Sequence, residues 1–405
     1  MPKVKAFKGI RPISDKVSEI IVKPADLADG VDVEEIKRNN PYSFLHVISP
    51  RKNGKFDLES AAKHFEKFVE LGLLRTDKDE SIYIFRVNHH GKKHVGVWLT
   101  TSIDEYLDGN IKKHEHTREY REKQLVDFYE QTGVDANPVM LTYNPSFKIN
   151  QLINEVVQND QGMKTLDCME EVEYKLCQVG NPELVLRFKN AFAEIKEAYI
   201  ADGHHRVAAA AIMGQKQRKN NPEYTGEEDF NFFSSIYFSS DQLIIHEYNR
   251  IIRDLGGLSY EQFLAKVEVN FTVEKLSEYR LPEHHEIAMY LGTTWFSLKV
   301  NQSSIKGKDV VHLLDVSILQ DNILEPILDI KDPRTDLRIS FVDGIAGVKQ
   351  LTDKVDNGEA AIAFSLHPCS VEEIMQVADV NQIMPPKSTW VEPKLHCGLI
   401  THKLK

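Results

Sequence analysis

The chain has 405 residues, with 50 Lys and Arg set against 61 Asp and Glu for a net charge of −11. Hydrophobic residues make up 41% and charged residues 27%, which suits two or three domains with sizeable cores and excludes collagen-like, low-complexity and largely disordered chains. An acidic surface repels phosphate backbones unless a local basic patch overrides it, so nucleic acid is not an expected partner.

Lys5 to Pro12 and Ser18 to Val22 are expected as short strands closed by Pro12 and Pro24, followed by a helical turn at Asp32 to Arg38. Phe44 to Ile48 is expected as a buried strand, and Leu58 to Leu71, with Ala61, Phe65, Phe68 and Val69 at helical spacing, as a helix. Ser81 to Val87 and His94 to Thr100 alternate as a hairpin. A long polar helix is expected from Ile111 to Gln131, stopped by Gly133. Asn137 to Tyr143 is a strand, Ile149 to Gln158 a helix, Met169 to Val179 a strand pair and Pro182 to Lys196 a helix. Glu197 to Ala201 is then a strand, Asp202 to Arg206 a turn and Val207 to Met213 a helix, with a further strand at Phe232 to Phe238. Beyond Leu255 come further segments, among them Tyr260 to Val267, Trp295 to Val300, Leu313 to Leu324, Ala360 to Leu366 and Val371 to Asp379. The whole is expected to be α+β (mixed α/β), in regions 1–145, 146–255 and 256–405.

Several chemistries have no support. There is no G-x-G-x-x-G after a strand, no P-loop, no protein-kinase motif set and no G-x-S-x-G elbow. His114-Glu115 begins like a zincin motif, but Arg118 stands where the second histidine belongs. Cys168, Cys177, Cys369 and Cys397 form no C-x-x-C pair, so reduced thiols in a cytoplasmic protein are expected. Met1 to Pro12 has no apolar h-region, so no secretory signal is expected, and no apolar run approaches the ~20 residues of a membrane span.

Three motifs carry candidate chemistry. In Asp202-Gly203-His204-His205-Arg206, Gly203 permits a sharp turn and close approach of a ligand. The helix that opens there presents free N–H groups and the positive end of its dipole, which suit phosphate, and Arg206 adds a bidentate donor. The bland alternative is a helix cap with partly buried histidines. In Lys112 to Arg121, His114, Arg118 and Arg121 would share one helical face that grips an anion, with Glu115 as base or ion-pair partner; a solvated charged face is the alternative. In Met384 to Trp390, Pro385 and Pro386 fix a turn presenting Lys387, Ser388 and Thr389 to an anionic ligand, against the alternative of a packed turn. Arg11, the Asn40-Pro41-Tyr42 turn before His46, and His246 to Arg250 are expected to be structural.

The order Arg11-Pro12, Asn40-Pro41-Tyr42, His114 to Arg118, Ala201 to Arg206, and Met384 to Thr389 with Pro393-Lys394-Leu395 resembles the bacterial domain-of-unknown-function family 1015, over nearly the whole chain. Members usually carry Pro-Pro-Tyr-Asp after the second strand; here that place reads Val22-Lys23-Pro24-Ala25-Asp26. The Asp-Gly-His-His-Arg turn is also similar to that of the ParB/sulfiredoxin-like fold and to the Asp-Gly-x-x-Arg phosphate turn of archaeal ADP-dependent free-serine kinases. The resemblance implies a ParB-like core and a phosphate site at Asp202, Gly203, His205 and Arg206. It further implies a kinase that makes O-phosphoserine from free L-serine, with ATP, ADP or pyrophosphate as donor and Mg²⁺ as cofactor. Asp202 or Glu115 would then serve as base or metal ligand, His205, Arg206 and Arg118 would stabilise charge, and Lys387 and Ser388 would hold the substrate carboxylate. The alternatives are a ParB-like nucleotide-binding regulator and a phosphoric-ester hydrolase. A small molecule and a nucleotide are the expected partners; a homo-oligomer is left open.

Overall fold

The computed structural model describes residues 2–23, 31–52, 55–89, 91–158, 163–169 and 172–405, so the turn at Pro24-Ala25-Asp26 lies outside the described residues. It is a mixed α+β structure in two compact units. The first comprises residues 1–243 and 393–405, the second 244–392. The expected join near 145 has no counterpart, because strands on both sides of it belong to one sheet.

That sheet has nine strands. Eight lie in the order Met163–Met169, Val172–Val179, Ile82–His89, Lys92–Ser102, Phe232–Ser239, Val139–Tyr143, Ala198–Asp202, Ile111–Lys112, and Val4–Lys5 pairs with Lys92–Ser102. Pairing is antiparallel except where Val139–Tyr143 meets Phe232–Ser239 and where Ala198–Asp202 meets Ile111–Lys112. The central strands Val139–Tyr143 and Phe232–Ser239 are buried along their full length, as expected of strands covered on both faces. Ile84, Leu99, Leu141 and Tyr237 share one core with Phe188 and Phe192 of the helix Pro182–Ala193 and with Val207, Ala209, Ala210 and Ala211 of the helix His204–Asn220. A second core joins Ile20, Val22, Phe44, Leu45 and Val47 to Phe65 and Phe68 of the helix Leu58–Glu70.

Three expected elements change type. Val17–Ile20 and Leu45–Ile48 are helical turns, not strands. Their buried residues, Val17, Ile20 and Ile21 in one and Phe44, Leu45 and Val47 in the other, fall on one side of a turn and do not alternate. The long helix begins only at Glu119 and runs to Thr132. Ile111–Lys112 is instead a strand beside Ala198 and Tyr199, since Ile111 is the one apolar residue of that stretch and is buried at the sheet edge. Gly133 does stop the helix, in the left-handed conformation and with its N–H on the Tyr129 carbonyl.

The second unit has a six-stranded antiparallel sheet, ordered Phe271–Leu276, Thr294–Val300, Glu286–Leu291, Ile362–Leu366, Tyr248–Ile252, Ile339–Asp343. The segment Leu313 to Leu324 is a short α-helix, Asp315–Leu319, continued by a π-helical turn. Among the described residues no helix is long and apolar enough to cross a membrane.

Candidate functional site

The apolar strand Ala198–Asp202 leads through Gly203 into the helix His204–Asn220. Gly203 has φ +104°, a conformation L side chains rarely adopt, and this lets extended chain become helix in one residue. The space a Cβ would take is filled from within: an added Cβ would lie 2.8 Å from Nε and Nη2 of Arg206. Arg206 folds back over the turn, donating from Nη2 to Asp202 Oδ2 at 2.8 Å and from Nη1 to the Pro138 carbonyl. Burial pushes the Asp202 carboxyl up, but Lys394 and Arg206 outweigh it and bring it down to about 2. Asp202 is therefore an ionised anchor for Arg206 and a weak proton acceptor at neutral pH.

The two histidines of the turn differ. His204 is buried against His114, with ring centroids 4.5 Å apart and edge to face. The His114 backbone N–H donates to His204 Nε2 at 3.5 Å, which assigns the proton to Nδ1, 3.4 Å from Glu115 Oε2. Burial pushes His204 well below its ordinary range and His114 down to about 4, so both are neutral at pH 7. They pack; they do not supply charge to an anion. His205 is half-buried and accepts from the Arg118 backbone N–H at 2.9 Å, and burial lowers its pKa.

The expected cationic face is not formed. His114 precedes the helix, Arg118 is its N-cap and only Arg121 lies within it, so the i, i+4, i+7 spacing has no helix to act on. Arg121 nevertheless reaches the same cleft as His205 and Arg206. That cleft, of about 600 Å³, has an apolar wall including Leu58, Leu125 and Phe128, with Tyr129, Asp135 and Asn137 among its polar lining. Asp135 is buried and accepts from the Ser234 N–H at 2.9 Å. Burial raises its pKa, opposed by His402 and Arg206. Burial also raises the Tyr129 hydroxyl, with Asp135 adding to the shift.

Asp135 and Tyr129 escaped the sequence reading. The available signal was an acid between Val134 and Ala136, directly after a helix stop and just before a buried strand. The weaker candidates are structural. Arg11 forms a fork with Asp77, and Asn40 Oδ1 accepts from the Tyr42 N–H. Lys387, Ser388 and Thr389 belong to the second unit. There Ser388 is buried with its hydroxyl on the Pro385 carbonyl at 2.6 Å, and the Lys387 ammonium lies 5.1 Å from the centre of the Tyr248 ring. Buried Arg250 donates to the Lys387 carbonyl at 3.0 Å. The Pro-Pro turn is thus closed around its own polar groups, the packed alternative.

No curated protein matches the chain. Among solved structures it is similar to SbnI with a C-terminal truncation from Staphylococcus aureus, at 12% identity and TM-score 0.41, over 76% of this chain and 87% of that one. It is similar to a free serine kinase in complex with AMP at 12% identity and TM-score 0.38, over 76% and 92%. A conserved hypothetical protein from Pyrococcus furiosus aligns at 13% identity and TM-score 0.37, over 76% and 95%. These likenesses are remote. The model of a family described as protein of unknown function (DUF1015) matches residues 4–317, most of the chain, and the chain belongs to that family.

Proposed function

We propose that the cleft beside the Asp202–Arg206 turn binds the phosphates of a nucleotide, and that the chain is a phosphotransferase acting on a small hydroxyl compound, free L-serine. The observation that carries this reading is the company kept in one cleft. Arg121, Arg206 and His205 stand with the buried carboxylate of Asp135 along an apolar wall, in a chain whose net charge is −11. The apolar wall suits a nucleobase, the guanidinium groups suit phosphate, and the N-terminus of the 17-residue helix at His204 favours negative charge. Phosphoryl transfer asks mainly for positioning and charge stabilisation, because its transition state is loose. The acceptor hydroxyl needs a carboxylate to orient it and take its proton late. Asp135, with its raised pKa, is better matched to that task than Asp202 at about 2.

Magnesium fits the donors on this wall. Asp127 lines the cleft, and Mg²⁺ is commonly held by one or two carboxylates together with substrate phosphates, which leaves Asp135 for the acceptor hydroxyl. Its contribution there would be neutralisation of phosphate charge. Asp202 is committed to Arg206 and is the poorer ligand. The test is incubation of the purified chain with L-serine, Mg²⁺ and ATP, ADP or pyrophosphate in turn, with products identified by mass. O-phosphoserine with one donor supports the reading. Donor loss without O-phosphoserine indicates a hydrolase, and an unchanged donor with tight nucleotide binding indicates a regulator; either result contradicts the kinase reading.

A further inference from the structure

The second unit carries a separate cluster, remote in sequence from everything assigned to the cleft. His284 and His285 end the loop before the strand Glu286–Leu291, and Asp315 opens the helix Asp315–Leu319. One ligand atom from each of the three lies within 4.8 Å of the others.

Three features set this cluster apart from a chance meeting of polar groups. First, adjacent histidines on regular backbone point apart, but His285 has φ +65°, and the two rings stack with centroids 3.9 Å apart. That left-handed conformation is uncommon outside glycine and is held by the His285 N–H on Asp315 Oδ1 at 2.9 Å. Second, each ring has an outer acceptor on the same nitrogen. His284 Nε2 meets Glu373 Oε1 at 3.1 Å, and His285 Nε2 meets the Leu313 carbonyl at 3.1 Å. Histidines that bind metal are oriented in this way by a carboxylate or carbonyl on the far nitrogen, leaving Nδ1 for the ion. Third, the set is graded in depth: Asp315 is buried, His285 intermediate and His284 exposed. An ion would be anchored from below and reachable from solvent.

We infer that His284, His285 and Asp315 form a site for a divalent transition-metal ion of the zinc class, with Glu373 and the Leu313 carbonyl orienting the two imidazoles. Two imidazoles and one carboxylate suit zinc or cobalt better than magnesium or calcium, which prefer oxygen-only surroundings. Three protein ligands leave a coordination position for water or a small anion.

The test uses the full chain without a histidine tag, stripped with a chelator and titrated with Co²⁺, whose visible absorption reports coordination by nitrogen and oxygen. Zn²⁺ then competes for the site. The wild type is expected to take up one Co²⁺ that Zn²⁺ displaces. His284→Ala, at an exposed position that does not endanger folding, should weaken binding at least about tenfold, and Glu373→Gln about 10–100-fold, the range seen for outer partners of metal ligands. Asp315→Asn should abolish the spectrum while circular dichroism stays native; should that variant misfold, His284→Ala decides alone. Absence of stoichiometric Co²⁺ uptake by the wild type, or uptake by His284→Ala at wild-type affinity, overturns the assignment.

Discussion

Replacing Gly203 by alanine tests how the turn is held. The new methyl group would meet strain at φ +104°, costing about 1–2 kcal/mol. It would also occupy the place of the Arg206 guanidinium, which lies 2.8 Å from the Cβ position. Displacing that group loses the hydrogen bond to Asp202, worth about 1.5–3 kcal/mol for a charged pair. The single substitution should therefore cost roughly 2.5–5 kcal/mol. In an Arg206→Ala background only the backbone strain remains, so the same change should cost about 1–2 kcal/mol. Trp98, buried in the first unit, reports that unit's unfolding in urea once Trp295 and Trp390 of the second unit are changed to phenylalanine. A coupling of about 1.5–3 kcal/mol between positions 203 and 206 is expected. Additive costs would refute the placement of Arg206 over the turn and return Gly203 to the simpler role of admitting a ligand.

Acid should weaken the first unit through His114 and His204. Their folded pKa values lie below the ordinary 6.5, so their stabilising contribution is complete above pH 6.5 and is lost as pH falls through about 4, the His114 value. His114 alone accounts for about 3 kcal/mol across that window; urea midpoints should fall from pH 6.5 to 4 in the wild type and less steeply in His114→Phe, and identical slopes would contradict the buried neutral pair. Asp135→Asn should lower kcat for phosphoryl transfer with little change in nucleotide affinity, whereas Asp202→Asn should mainly lower stability; equal kcat for Asp135→Asn and wild type would remove Asp135 from the chemistry. Arg250→Met should cost the second unit about 2–4 kcal/mol and speed hydrogen exchange at the amides of Lys387 to Thr389, because the carbonyls of Tyr248 and Lys387 lose their donor. Unchanged exchange there would show that the turn is held without Arg250.

The Asp202–Arg206 turn was legible because its signals are local. An apolar strand, an Asp-Gly step and an alanine-rich helix lie within 14 residues, and Gly203 adopts the positive φ its type allows. The stretch 111–131 was misread because charged residues are good helix formers whatever their setting, and only the pairing of Ile111 with Ala198 decides the strand. Asp135 was invisible for a similar reason. The groups around it come from Ser234, 99 residues on, and from His402, paired with it across two short strands near the C-terminus. The return of residues 393–405 to the first unit also explains why its boundaries could not be read from composition along the chain. Of the three substrate candidates in the Pro-rich turn, Ser388 is buried and Lys387 exposed, and buried Arg250 holds the turn through the Lys387 carbonyl.

The central claim is that phosphate is recognised in the cleft at Arg121, His205 and Arg206. Calorimetric titration with ADP and with adenosine, each against wild type and Arg121→Ala, addresses it most directly. Arg121 takes no part in bracing the turn, so its loss should leave the fold intact. The account predicts that ADP binds the wild type more tightly than adenosine does, that Arg121→Ala weakens ADP binding by about 1.5–3 kcal/mol, the worth of a charged hydrogen bond, and that adenosine binding is unaltered. Equal affinity for ADP and adenosine, or Arg121→Ala binding ADP as the wild type does, would contradict it.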